Sequence, residues 1–230
     1  MKRYSVAFCV CVVAYFCITG VTQAQVTLGL VSPGSNISNN VYVGPYTLSV
    51  NAAGNIQAVC DDRDTDTGNS TWTAYVNTFA TLSNTKFYSL PSINSGTTET
   101  QNYEAAAWLV QQMFALDPYN PANYATVADI HLAIWSNFST AALSSLASNS
   151  DAQSWYTKGL AHDSDPIANF ADIVIYTPSP TSASQEFIMV TPEPASMMLF
   201  GTGLLVIGTA IRRRPRGAAS TIDKLKHYHL

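Results

Sequence analysis

The chain changes its polarity period several times, and each change marks a boundary. Lys2 and Arg3 precede an apolar run from Val6 to Ile18, and VTQAQ places small residues around a cut site after Ala24. This is the layout of a secretory signal peptide over residues 1–24; an uncleaved anchor needs a longer apolar run. From Gln25 to about residue 100 the pattern is that of strands and turns. VTLGLV, VYVGPYTLSV, NIQAVC and STWTAYVNTFATL are rich in β-branched and aromatic residues, Trp72, Ala74 and Val76 alternate, and SPGSNISNN supplies turn chemistry. At least three strands are expected there.

The period then lengthens. Tyr103, Ala106, Ala107, Val110 and Phe114 recur at steps of three and four, which predicts a helix that stops before DPYNP. NYATVADIHLAIWSNF predicts a second, with Val127, Ile130, His131, Ile134, Trp135 and Phe138 on its buried face. STAALSSLASNSDAQSWYTKGL, opened by Ser139 as an N-cap, predicts one or two short helices more. ADIVIYTP and QEFIMVTP return to strand, separated by SPTSAS. The expected domain, residues 25–190, is therefore α+β: β-rich, with a central helical insert and enough length for one substantial core.

A last apolar run, residues 195–211, carries no charge. At about 1.5 Å per residue it spans roughly 25 Å, a marginal length for a transmembrane helix. Gly201, Gly203 and Gly208 weaken it further. Arg212, Arg213 and Arg214 follow at once, as in a stop-transfer segment whose tail, residues 218–230, stays in the cytoplasm. Ahead of the run, Pro192 and Pro194 fix φ and keep the chain extended, so a rigid, protease-accessible segment is expected at the membrane surface. A plain single-pass anchor with a proline-rich stem would share these features and would leave the domain on the same side.

Charge sharpens the layout. Of the 15 acidic residues all but Asp223 lie between Gln25 and Pro194, where the only cations are Arg63, Lys86 and Lys158. The remaining basic residues flank the two apolar runs, and a sequence pI of about 5.4 leaves no electrostatic footprint for nucleic acid. Pro192-Glu193-Pro194, the glycine-containing apolar helix and the arginine cluster, in that order over residues 191–217, resemble the PEP-CTERM sorting signal of Gram-negative bacteria. The resemblance implies an exosortase-type membrane protease as partner, with Pro192, Glu193, Pro194, Arg212, Arg213 and Arg214 as the sorting and processing residues. It also implies transient anchoring in the inner membrane and delivery to the cell surface or exopolysaccharide matrix, where exopolysaccharide or neighbouring surface proteins are the expected contacts. The tail after the arginines is longer than the family's usual few residues.

Candidate chemistry is sparse. Cys9, Cys11 and Cys17 fall in the signal peptide, AYFC lacks the small residue that precedes a lipidated cysteine, and Cys60 alone survives maturation, so no intrachain disulfide can form. AVCDD at the end of a predicted strand and HLAIW on a predicted helix resemble the two signatures of bacterial thioester domains, adhesin modules that join a cysteine to a glutamine. His131 stands at the glutamine position, and imidazole offers no carboxamide carbon. Three readings of Cys60 and His131 stay open: a core thiol beside a hydrogen-bonded histidine, a degenerate adhesin module that binds without covalent chemistry, and a Cys-His nucleophilic pair. Asp62, Asp64 and Asp66 alternate in DDRDTDTGN and could offer oxygens to Ca²⁺ or form a solvated turn, but glycine falls one position late for an EF-hand and Thr73 replaces the bidentate acid. His162, Asp163 and Asp165 raise the same choice between metal ligands and a turn. Asn36, Asn69 and Asn137 fit the N-glycosylation pattern. No Ser-His-Asp motif, phosphate loop or paired zinc motif is present, and no cofactor is implied. Two functions follow: a non-catalytic exported binding or structural protein, or a reactive-cysteine module centred on Cys60.

Overall fold

The computed structural model describes residues 23–191 apart from 35, 39 and 68–70. All but the last two residues of the expected signal peptide, the Pro192–Pro194 motif, the apolar run 195–211, Arg212–Arg214 and the tail lie outside the described residues. The chain divides into two units, Met1–Thr191 and Pro192–Leu230.

Eight strands and four helices make up the described part: β1 (Gln25–Ser32), β2 (Asn36–Ser38), β3 (Val41–Val43), β4 (Tyr46–Val50), β5 (Gly54–Cys60), β6 (Thr71–Asn77), α1 (Glu99–Ala115), α2 (Tyr124–Trp135), α3 (Thr140–Ser145), α4 (Ser150–Leu160), β7 (Ile173–Ser179) and β8 (Phe187–Val190). Six of the strands close an antiparallel barrel in the order β1-β4-β5-β8-β7-β6, with β6 returning to β1. The short β2–β3 hairpin stands apart as its own ladder. Every helix lies between β6 and β7, so the expected α+β class with a central helical insert is what the chain adopts. Among the described residues no helix is long and apolar enough to cross a membrane.

Local chemistry explains the breaks. VYVGPYTLSV makes two strands, because Gly44 takes a left-handed φ of 86° and Pro45 has no N–H for a ladder. STWTAYVNTFATL is strand only as far as Asn77; Phe79–Asn84 winds into a 3-10 helix after Thr78. The hairpin between β4 and β5 turns on Asn51 and Ala52, both left-handed at φ 49° and 55°. Thr98 and Gln101 form a reciprocal capping box that starts α1. Ser139 and Asn149 accept from the backbone N–H three residues on, at 3.3 and 3.0 Å, and so start α3 and α4.

The barrel has one core inside and another outside. Leu28, Leu48, Ala58, Trp72, Tyr176 and Phe187, one from each barrel strand, pack in a single cluster with Tyr46, Cys60 and Ala74, which identifies the barrel interior. Strand alternation turns Val59, Ile173, Ile175 and Ile188 the other way, onto Tyr103, Ala106, Val110 and Met113 of α1 and Ile130 and Ile134 of α2. Phe187 fills the interior, with Tyr46 edge-on at 5.5 Å between centroids and Trp72 stacked at 6.1 Å. Phe187→Ala is expected to lower the unfolding free energy by about 3–5 kcal/mol, read from urea unfolding; a loss under about 1 kcal/mol would mean that Phe187 is not the centre of this core.

Candidate functional site

The residues singled out in the sequence converge where β5 ends. α2 carries His131 across the barrel's flank, fully buried, to the corner between β4 and β5. Its Nδ1 accepts the Gly44 N–H at 2.8 Å, which places the ring proton on Nε2, and Nε2 donates to the Cys60 carbonyl oxygen at 2.7 Å. Both nitrogens are committed. Burial draws the imidazole down to about 4, so it is neutral at physiological pH.

Cys60 is equally buried, and its Sγ donates to the Asp62 carbonyl at 3.0 Å. Burial pushes the thiol well above its usual range, and the Asp61 and Asp62 carboxyls push it the same way. Cys60 and His131 are thus neighbours, but the contact runs through a backbone carbonyl. No ring nitrogen is free to take the thiol proton. Of the three sequence readings, this geometry is that of a core thiol beside a satisfied histidine.

A buried acid cluster that the sequence did not announce lies beside them. Glu186, at the entry to β8, accepts from the Tyr103 hydroxyl at 2.5 Å, from the Lys86 backbone N–H at 2.8 Å and from the Thr177 hydroxyl. Asn77 extends the chain by donating to Thr177 Oγ1 at 2.9 Å. Asp61 is wholly buried against Glu186, and neither of its carboxyl oxygens finds a hydrogen-bond donor. Burial first, then the Glu186 and Asp62 charges, hold Asp61 well above the carboxylate range, while burial raises Glu186 and its hydrogen bonds from Thr177, Tyr103 and the Lys86 N–H, with the Asp61 contact, restrain it. Two buried carboxyls in contact favour one shared proton over two charges. Only AVCDD and the lone acid in QEFIMV signalled it, and both read as strand ends.

The three alternating aspartates go to different places. Asp62 contacts Lys86 Nζ, which also donates to Thr65 Oγ1 at 2.9 Å. Asp64 accepts from Ser139 Oγ at 3.0 Å and lies 3.9 Å from Arg63, while Asp66 lines a cavity. His162 pairs with Asp165 at 2.9 Å in the turn after α4 and stacks on Trp108 at 4.3 Å. Among the described residues no group of three His, Cys, Asp or Glu side chains could hold a metal ion. Asn137 is buried and donates to the Ala133 and Ile134 carbonyls, Asn36 donates to the Tyr124 carbonyl at 3.3 Å, and Asn69 lies outside the described residues.

A cavity of about 650 Å³ opens between the β2–β3 hairpin and the barrel, lined by Tyr42, Tyr46 and Trp135 together with Asn40, Arg63, Asp66, Thr67 and Gln185. Cys60 lies buried behind its wall. The Trp135 indole lies beside the thiol, and Gln185 donates to the same Asp62 carbonyl that Sγ uses, at 2.9 Å. Aromatic faces and convergent polar groups in one concave site are the ordinary make-up of a ligand pocket.

Residues 190–214 match the PEP-CTERM protein-sorting motif. The chain carries a PEP-CTERM sorting signal. A PEP-CTERM signal marks an exported protein anchored at the membrane by its C-terminus, and it implies processing by an exosortase in general. The match takes in Pro192, Glu193, Pro194, Arg212, Arg213 and Arg214 and leaves the domain before it to be read from its own residues. Comparison with curated proteins and with solved structures gives no match, so the likeness of AVCDD and HLAIW to thioester domains has no counterpart there.

The acid pair makes stability pH-dependent. A raised folded-state pKa means that the native state holds the proton longer than the unfolded chain, so this contribution is full below about pH 4 and is lost as pH rises toward the folded value. His131 acts oppositely, stabilising above about pH 6.5 and losing that as pH falls toward 4. Asp61→Asn keeps a donor toward Glu186 without a titrating proton. Because His131 contributes equally to both proteins, urea unfolding at pH 5 and pH 8 should show wild type losing stability relative to the variant as pH rises; an unchanged difference would show that Asp61 is ionised in the fold.

Proposed function

We propose that this chain is an exported surface or matrix protein whose domain, residues 25–190, has a non-catalytic binding role, delivered by the C-terminal signal and then processed near Glu193. The proposed organisation is a signal peptide over 1–24, the domain, the sorting signal over 191–217 with its transmembrane helix at 195–211, and a cytoplasmic tail over 218–230. The observation that carries the delivery is the matched sorting motif. β1 begins at Gln25, the residue after the expected cut, and β8 ends at Val190, next to the processing segment. Both ends of the fold agree with removal of the flanking segments. Mass spectrometry of the protein recovered outside the cell is expected to give an N-terminus at Gln25 and a C-terminus near Glu193; a chain intact to Leu230 would instead make residues 195–211 a permanent anchor.

The binding role rests on the cavity beside Cys60. Tyr42 offers an exposed aromatic face over the buried Trp135, and Asn40, Arg63, Asp66 and Gln185 offer both donors and acceptors. A sugar ring has that duality, an apolar C–H face and a rim of hydroxyls, so exopolysaccharide is the fitting ligand class. Tyr42→Ala and Asp66→Ala should each weaken retention of the secreted protein on exopolysaccharide by about tenfold, a loss of roughly 1.4 kcal/mol, with circular dichroism unchanged. Retention that neither variant alters would place binding elsewhere. The reactive-cysteine alternative predicts rapid thiol labelling that His131→Ala abolishes. With the thiol buried and its pKa raised, labelling is expected only when the protein is unfolded in urea.

A further inference from the structure

Lys86 differs from the other two cations of the described domain in being buried with a single acid. Its side chain is 14% exposed and that of Asp62 is 2% exposed. Nζ contacts Asp62 Oδ2 and is steered from the other side by Thr65 Oγ1 at 2.9 Å, while Asp62 Oδ1 accepts the Asp64 N–H at 3.2 Å. Two opposite charges held out of water are a costly arrangement. A buried acid pair stands beside them: Asp61 lies against Glu186, and Glu186 accepts the backbone N–H of Lys86 itself, at 2.8 Å. The acid pair therefore touches both chain segments that supply the ion pair.

We propose that Lys86 and Asp62 condense into an intramolecular isopeptide bond, with the Asp61–Glu186 pair as the proton relay. A proton passes from Nζ to the Asp62 carboxylate, which leaves a neutral amine facing a neutral acid. The Nζ lone pair adds to Cγ and forms the C–N bond. Glu186 takes the second nitrogen proton, Asp61 delivers its own to the departing oxygen, the Cγ–O bond breaks, and one water leaves. A proton passed from Glu186 to Asp61 restores the pair, so nothing is oxidised or reduced and no co-reactant is needed. Fixed apposition replaces a bimolecular collision, and the reaction removes both buried charges. The product is a strap across the 24 residues that separate the end of β5 from the segment leading to α1, and so around β6. Like any covalent loop closure it would restrict the unfolded chain.

The proposal is independent of where the protein is delivered and of what the cavity binds. Full-length protein is unfolded in urea, its intact mass measured, and its proteolytic fragments mapped. Wild type is expected to weigh less than its sequence by one water, and a branched peptide should join Asp62 to Lys86. Lys86→Arg should show the full sequence mass. Asp62→Asn should form the same branch with loss of ammonia in place of water. Asp61→Asn and Glu186→Gln should slow the bond's appearance after refolding at least tenfold. A wild-type mass equal to the sequence, with Lys86 open to acetylation once unfolded, would overturn the proposal. So would a water loss that persists in Lys86→Arg, since that marks a succinimide at an aspartate.

Discussion

The seam between β5 and β8 is where the barrel closes, and it is thin. Only Val59 with Ile188 and Cys60 with Phe187 pair across it, extended by the Asp61 N–H to the Glu186 carbonyl at 3.3 Å. A closed barrel has no free edge, so failure at this seam would expose two strands at once. The ladder's shortness is offset by side chains. Val59 and Ile188 face the helices, Cys60 and Phe187 face the interior, and directly beyond them Asp61 and Glu186 meet carboxyl to carboxyl. The acid pair thus continues the seam after the backbone has stopped.

His131 secures the same corner from outside. One imidazole reaches the Gly44 N–H just before β4 and the Cys60 carbonyl at the end of β5, so a single helical residue satisfies two backbone groups that no strand partner reaches. The role requires a neutral ring with one donor and one acceptor, which is the state that burial enforces. It also explains why the thiol is quiet. With the histidine spent on backbone, Cys60 keeps its proton and turns to the Asp62 carbonyl, and the cavity beside it presents aromatic and amide surface.

Asp61→Asn tests a feature that the sequence scarcely showed, and the reason is geometric. Most of the strands, helices α1 and α2 and the Ser139 cap were legible because each depends on neighbours within a few residues, whereas β2 forms inside SPGSNISNN, which reads as turn. Barrel closure was not, since it joins β1 to β6 and β5 to β8 over separations that no local period encodes. DDRDTDTGN read as one acidic cluster, yet Asp61 is buried against Glu186, Asp62 contacts Lys86, Asp64 caps toward Ser139 and Asp66 opens on the cavity. The chain leaves β5 at Cys60 as irregular backbone, so no single period orders these carboxyls and each meets a different neighbour. The Cys60 and His131 juxtaposition was legible only through the AVCDD and HLAIW resemblance, and that resemblance could not tell a carbonyl contact from a thiol contact.

Delivery and architecture meet at one residue. Val190 is both the end of β8 and the start of the matched sorting motif, so in sequence the sorting signal follows the strand without a linker. A pull on the C-terminus first meets the β7 ladder, where Val190 pairs with Ile173 and Met189 with Val174, ahead of the two pairs to β5. Thr191 takes part of that load at once: its N–H and its hydroxyl both donate to the Asp172 carbonyl, at 2.7 and 2.8 Å, pinning the exit to the start of β7. Behind it, Tyr103 and Thr177 hold Glu186 at the other end of β8, and Ile188 is locked against the helices between them. A strand gripped at both ends and in the middle can carry a tether even though its ladder to β5 is only two residues long.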